Sequence, residues 1–495
     1  MKKQYDVIVI GGGPGGTCCA ALLAKKGART LVLEKNDRVG GKPATVSAKG
    51  FTCERWPTGG LPVKGGSWLE AFKALGIESR FRVIVKDVGV VYRRGDGQWI
   101  RRVTQMDPYV LPDPNNLFDD WGLKDKEREV ALQVLTDVAM LSGDKLNALD
   151  NVSVHDFLMQ YEGLPEPLYG YFAFLAHAFN VGVVELVSMS ETAKSFHRLM
   201  DQPLGYPAGG YGRLVEDMAD AMKASGGEVK TRARVERILI ENGEVIGVAT
   251  ADSIFKAPIV VSSAGIHPTV LKMVGEDHFD KGYVSYVKNL LPSLGFTGVR
   301  YMLSKPVLPL GLYQIWSQSS WWNMQRYLEA RKGRILGDVT ITLEVPTNYD
   351  PAMGPPGKQL LMAGTNCSPD PLDKTIQMLW KKTDEQIAEV FPEILPFIES
   401  KEAYTGPAQV SVHSRDQVLP NQGGEAVGVG VTIGQTGKQK PSARSPVRGL
   451  FYVGFDAGSS SGFMGTQQAV DSGLQVSQMV YRYLLERRQA AADTA

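Results

Sequence analysis

The chain has 495 residues and a net charge of +1, with 54 basic side chains against 53 acidic ones, and is long enough for two closely packed domains around a large core. No basic tract or basic–aromatic interleaving marks a nucleic-acid surface. No apolar run reaches the roughly 20 residues a membrane helix needs. The longest candidate, residues 168–184, is interrupted by His177, Asn180 and Gly182. Cys18, Cys19, Cys53 and Cys367 form no C-x-x-C or C-x-x-x-x-C pair, which argues against a dithiol reductase and for a reducing, cytoplasmic compartment. Peripheral contact with a membrane stays open.

In chain order, the first signal is residues 5–42. Tyr5–Ile10 is a short β-branched run that reads as a buried parallel strand, not a signal peptide, because Asp6 and the following glycines interrupt it. Gly11, Gly13 and Gly16 give G-x-G-x-x-G, with Pro14 and Gly15 between them, and residues 17–26 have helical composition. The first glycine permits the tight turn and the second lets backbone amides approach a pyrophosphate. The third seats the helix close on the strand, its positive end facing the anion. A second strand, Thr30–Leu33, ends at Glu34 and Lys35, and a carboxylate there accepts hydrogen bonds from ribose hydroxyls. Strand, turn, helix, strand and acid in this order predict a dinucleotide site.

The next residues, Arg38-Val39-Gly40-Gly41-Lys42, resemble the second glycine pair of the FAD-binding amine oxidase and phytoene desaturase superfamily, which has arginine where this chain has Lys42. The phosphate contact is then a point charge without the bidentate fork. Residues 50–58, GFTCERWPT, resemble that family's GF-x-F-D-x-G-P-T, with Glu54 for its aspartate and Trp56 for a glycine. The resemblance places this turn by the flavin ring, where Trp56 would take space from the substrate. Ordinary core packing is the competing reading of Trp56.

Residues 67–75 read as a short helix and 83–103 as a hairpin turning at 94–97, followed by a mostly helical stretch over 115–199. Its aromatics Tyr169, Tyr171, Phe172, Phe174 and Phe179 read as core more than ligand wall. The chain then returns with a helix at 214–225, a strand at 229–231, and Val235 opening a strand at 235–239; strands at 245–249 and 257–262 follow. The resemblance implies that the backbone of Val235 reads the adenine edge. Strands at 294–302, 339–346 and 359–364 alternate with a helix at 374–390. The Asp350-Pro351 and Pro355-Pro356-Gly357 turn is similar to one of phytoene desaturase-like proteins. Trp316, Trp321 and Trp322 with Tyr313 and Tyr327 serve packing or substrate equally well. Residues 450–453 read as the last parallel strand, leading to Gly454 and Asp456, whose carboxylate the resemblance sets on a ribityl hydroxyl. Phe463, Met464, Gly465 and Thr466 open a final helix that the resemblance points at the flavin pyrimidine, and the alanine-rich tail after Gln489 is expected to fray.

The chain is thus identified as a member of the phytoene desaturase-like branch of FAD oxidoreductases. The implied architecture is a doubly wound, Rossmann-type α/β FAD domain (1–84, 200–280 and 431–495) with an interleaved α+β substrate domain (85–199 and 281–430). The resemblance implies dehydrogenation of a carbon–carbon bond in a hydrophobic substrate, carotenoid- or isoprenoid-like or a cyclic ketone. A flavin-dependent isomerase, an amine oxidase and a lipid-binding prenyl-chaperone are the alternatives. Trp56, Phe463 and Met464 are the expected substrate-pocket residues. Of His155, His177, His197 and His413, each reads as structural, no catalytic side chain is assigned, and no metal site is expected. With no second G-x-G-x-x-G after a strand, the electron acceptor is oxygen, a quinone or a carrier protein.

Overall fold

The computed structural model describes residues 4–55, 61–62, 66–78, 81–85, 87–105, 113–201, 204–458 and 465–493. Trp56, Phe463 and Met464 lie outside the described residues. Five parallel strands make one sheet in the order Glu228–Lys230, Thr30–Leu33, Val7–Ile10, Val260–Ser262 and Leu450–Tyr452. Val7–Ile10 is buried at every residue, as a β-branched run covered on both faces should be. The helices Pro14–Lys25, Tyr211–Ala224 and Gly465–Asp493 pack on one face through Cys18, Leu22, Leu214, Met218, Val476 and Val480. The other face carries the antiparallel layer Val235–Glu241, Glu244–Thr250 and Ile254–Lys256, with Ile266, Val270 and Met273 filling the gap. This is the doubly wound α/β arrangement the glycine loop predicted.

A seven-stranded sheet forms the second body, in the order Ile398–Thr405, Gly295–Leu303, Gln359–Cys367, Ile341–Glu344, Leu312–Ser317, Asp87–Arg93 and Trp99–Gln105. One face packs on the helix Ile376–Val390 through Tyr301, Leu343, Ala363, Leu379 and Ile387. The opposite face meets the nucleotide-binding body through Val88, Leu312 and Tyr349, and the helical stretch through Tyr92 and Trp316. Here the ring of Phe174 stacks on Trp316 at 5.9 Å, so most of the aromatic cluster is core.

The chain departs from expectation at three places. Ile398–Thr405 is too charged to read as a strand because it is an edge, where Glu399, Lys401 and Glu402 guard exposed backbone groups. Thr45–Ala48 and Phe51–Glu54 form a tight hairpin whose two loop residues, Lys49 and Gly50, both have positive φ, which right-twisted strands favour. The last helix continues to Asp493 instead of fraying after Gln489, since alanine has the highest helix propensity.

Candidate functional site

The site is a cavity of about 260 Å³ lying where the carboxyl ends of the parallel strands meet the second sheet. Its nucleotide end is backbone-rich. Gly13, Pro14, Gly15, Gly41, Lys42, Gly454, Asp456, Gly465 and Thr466 all line it. No side chain caps the helix Pro14–Lys25, so its first amides are available to a ligand. A Cβ on Gly13 would meet nothing nearer than Gly41 Cα at 4.0 Å, so the glycine leaves open space there. By contrast, a Cβ on Gly16 would lie 2.3 Å from Gly11 O, and Gly16 serves helix–strand packing.

Gly11, Gly16, Glu34, Lys35 and Val235 are not cavity walls. Glu34 is buried and ties the loop together: Oε2 accepts from Gly12 N at 2.7 Å, and Oε1 accepts from Asn36 N and Nδ2 at 2.8 and 2.7 Å. The Lys35 ammonium turns away to Asp416, 3.0 Å distant, a carboxylate that also holds Arg234 and Lys272. Ala233 N donates to Glu34 O, which brings the chain two residues before Val235 alongside the acid.

One residue that sequence reasoning missed organises the ribityl end expected of Asp456. Arg415, on the loop after the helix Pro407–His413, donates through Nη2 to Asp456 Oδ1 at 2.8 Å, with both side chains at least nine-tenths buried. Asp456 Oδ1 also accepts from Val429 N and Oδ2 from Ile266 N, each at 2.9 Å. Burial opposes charge on Asp456, but Arg415 and these amides outweigh it and hold the carboxyl well below its usual range. Glu425, 3.9 Å away, is a second counterion to Arg415. Burial works against the guanidinium charge too, yet the two acids keep it firmly protonated. Arg415 Nη1 remains buried without a partner. Lys42 shares this region, and burial followed by the field of Arg415 lowers its ammonium to about 7. An uncapped helix end, open glycines and two cations converge, and this donor set fits a dinucleotide pyrophosphate. No motif signals Arg415, because its partner lies 41 residues away in the chain.

The far end of the cavity is apolar, walled by Ala178, Phe179, Val181, Phe296, Ala426 and Val427, with Gln314 and Thr342 on the sheet. Val181 sits there at φ +55°, a strained conformation for a β-branched residue.

Glu54, read as the flavin-side acid, does not line the cavity. It is fully buried against Tyr206 OH at 2.5 Å and Tyr211 N at 3.0 Å, and burial pushes its carboxyl up. Cys53 likewise packs in a core cluster with Phe51, Met302 and Met362, its thiol raised to about 11 by burial. His177 is a core residue bonded to Thr340 and Trp322 N, and burial drives it down to about 3. His155 pairs with Tyr169, and His197 with the carbonyl of Val138. His413 borders a neighbouring cavity with Arg38 and Arg55. Burial pushes down the imidazole of His267, not singled out from sequence, which also lies in the field of Asp456 and Arg415. Among the described residues, no His, Cys, Asp and Glu cluster could hold a metal ion, and no helix is long and apolar enough to cross a membrane.

Known proteins resemble this chain along most of its length. The family described as "Flavin containing amine oxidoreductase" matches residues 15–480. Prolycopene isomerase of Daucus carota is 24% identical over 429 residues, covering 81% of this chain and 67% of that protein. The neurosporene-forming phytoene desaturase of Cereibacter sphaeroides is 24% identical over 422 residues, covering 78% and 77%. Among solved structures, an oxidoreductase from Methanosarcina mazei superposes with a TM-score of 0.70 at 20% identity, covering 96% of this chain and all of that one.

Proposed function

Because the chain belongs to the flavin containing amine oxidoreductase family and FAD is therefore its cofactor, we propose that it dehydrogenates a carbon–carbon bond of a hydrophobic substrate. The observation that carries this reading is the continuity of one cavity. It runs from the glycine loop, where charge and open backbone would hold a dinucleotide, to an end walled by Phe179, Val181 and Phe296, where an apolar molecule would sit. The relatives named phytoene desaturase and prolycopene isomerase support an isoprenoid-like substrate.

FAD, when bound, supplies the hydride acceptor, and the residues supply binding, orientation and dryness. We assign the ribose to Glu34, whose carboxylate has lone pairs beyond those given to Gly12 and Asn36. The pyrophosphate falls to Gly13, Gly15, Gly41 and Lys42, the adenine edge to the Val235 backbone, and the ribityl chain to Asp456 as held by Arg415. The helix beginning at Gly465 and Thr466 opens on the cavity and would turn its positive end toward the ring. The apolar walls exclude water from the reacting carbons, and a substrate of this kind is delivered from a lipid phase by peripheral membrane contact. Oxygen, a quinone or a carrier protein reoxidises the enzyme.

The names of the prolycopene isomerases favour a second reading, in which a double bond is isomerised without net oxidation. Anaerobic mixing with a candidate isoprenoid separates the two. Dehydrogenation bleaches the oxidised flavin band with one equivalent of substrate, while an isomerase turns over only after prior reduction. A purified protein that is colourless and takes up no FAD refutes both.

A further inference from the structure

Resting on the flavoprotein reading, we propose that Gln314 and Thr342 form a carbonyl-recognition site, which selects a ketone or enone over a plain hydrocarbon. The two residues stand directly opposite one another on the adjacent antiparallel strands Leu312–Ser317 and Ile341–Glu344. Both project from the sheet into the cavity. Their sequence neighbours Ile315, Ile341 and Leu343 point the other way, into the apolar core. Two polar side chains therefore meet at the cavity wall, on a sheet face that also carries Asn366, Glu344 and Arg300.

Their hydrogen bond turns the carboxamide oxygen of Gln314 toward Thr342. Thr342 Oγ1 donates to Gln314 Oε1 at 3.0 Å. The carboxamide oxygen is thereby engaged, and the NH₂ group is left as the donor on offer. Phe179, Val181, Phe296 and Val427 line the same cavity, while the charged lining residues Lys42, Arg415 and Asp456 belong to the nucleotide end. Phe296 is held in place by Gly364 on the neighbouring strand, where a Cβ would lie 1.9 Å from the ring. The strained Val181 closes the same end, and strain of that kind collects at sites whose shape matters.

A desolvated amide donor costs free energy unless something accepts from it. A polyene without oxygen leaves this donor unpaired, whereas a carbonyl oxygen completes it. Sites built to hydrogen-bond a substrate group discriminate strongly against analogues lacking it, because the site's own polar group is stranded. The substrate class that fits is an apolar ring or isoprenoid bearing one carbonyl.

The test uses the FAD-loaded protein under anaerobic conditions, titrated while flavin difference absorbance is recorded. The probes are β-ionone, an isoprenoid enone, and the analogue in which its carbonyl oxygen is replaced by methylene. Wild type should bind the enone about tenfold more tightly, the equivalent of one good hydrogen bond. Gln314→Leu should level the two affinities, and Thr342→Val, which frees the glutamine to rotate, should lose part of the preference. Equal binding of both probes by wild type overturns the proposal, as does an intact preference in Gln314→Leu. A Gln314→Leu variant that binds FAD more weakly but keeps the enone preference shows that the amide serves the cofactor, and also overturns it. A wild-type protein that takes up no FAD overturns the flavoprotein reading together with this one, and is recognised by its lack of colour before any probe is added.

Discussion

Alanine at Gly13 and at Gly16 should have opposite consequences, although the two glycines belong to one motif. Gly13 has φ −75° and caps the first helix, and its added Cβ would meet only Gly41 Cα at 4.0 Å. Gly13→Ala therefore gains about 0.4–1 kcal/mol by restricting the unfolded chain. It loses a similar amount because alanine caps a helix less well than glycine. The apoprotein should thus keep its stability to within about 1 kcal/mol. The new methyl would stand where the pyrophosphate must approach the backbone, so FAD affinity should fall by more than about tenfold, or roughly 1.4 kcal/mol. At Gly16 the methyl would lie 2.3 Å from Gly11 O and 3.0 Å from Ser263 Cβ. Neither backbone can yield without parting helix from strand, and about 1–3 kcal/mol of stability or more should be lost. Urea unfolding of the apoproteins with fluorescence titration of FAD reads both quantities. A Gly13→Ala protein that binds FAD like wild type, or loses over about 2 kcal/mol of apo stability, refutes the assignment of that space to the cofactor.

Four further outcomes are expected. Arg415→Met leaves Asp456 buried with only two backbone donors, so urea unfolding should show a loss of about 3–5 kcal/mol, while Arg415→Met with Asp456→Asn should lose less than the sum. The lowered Asp456 carboxyl contributes stability above its unfolded range that disappears as pH falls through its folded value, so the acid limb of the wild-type stability profile should flatten in Asp456→Asn. Lys42, lowered to about 7, binds fewer protons folded than unfolded at alkaline pH. Apo stability should therefore rise as pH increases above about 7, and FAD binding there should take up a proton, seen by calorimetry in buffers of different ionisation enthalpy; Lys42→Met should abolish both. Glu34→Ala strands the Gly12 amide as well as the ribose, so it should cost about 1–3 kcal/mol in apo stability and roughly tenfold or more in FAD affinity, where unchanged FAD titration would remove the ribose assignment.

The glycine loop was legible because its chemistry is local: spacing alone specifies a turn, an approach path and a packing contact within residues 11–16. Strand burial was legible for the same reason, since Val7–Ile10 and Leu450–Tyr452 carry their own composition. Arg415 was not, because its meaning depends on Asp456, and a lone arginine after His413 resembles any surface cation. Gln314 and Thr342 were hidden more deeply. Only the register of two antiparallel strands places them side by side, and a one-residue slip of either strand would turn its own residue into the core. Glu54 shows the opposite hazard. A matching motif suggested a role beside the ring, whereas Tyr206 and Tyr211 claim both of its oxygens.

The order of strands in the parallel sheet also governs when the protein can first capture its cofactor. The glycine loop occupies residues 11–16, yet the wall opposite it comes from Val453, Gly454 and the helix starting at Gly465. That helix packs on Pro14–Lys25 through residues as late as Leu484. During synthesis the first strand meets Thr30–Leu33 at once and Val260–Ser262 later, but the loop waits for more than four hundred residues before the wall opposite it emerges. Long-range closure of this kind is slow, and it leaves apolar strand faces open meanwhile. Holoprotein formation is therefore a late event that follows translation of residues 465–484, and shortage of FAD in the cell should appear as aggregation of nearly finished chains.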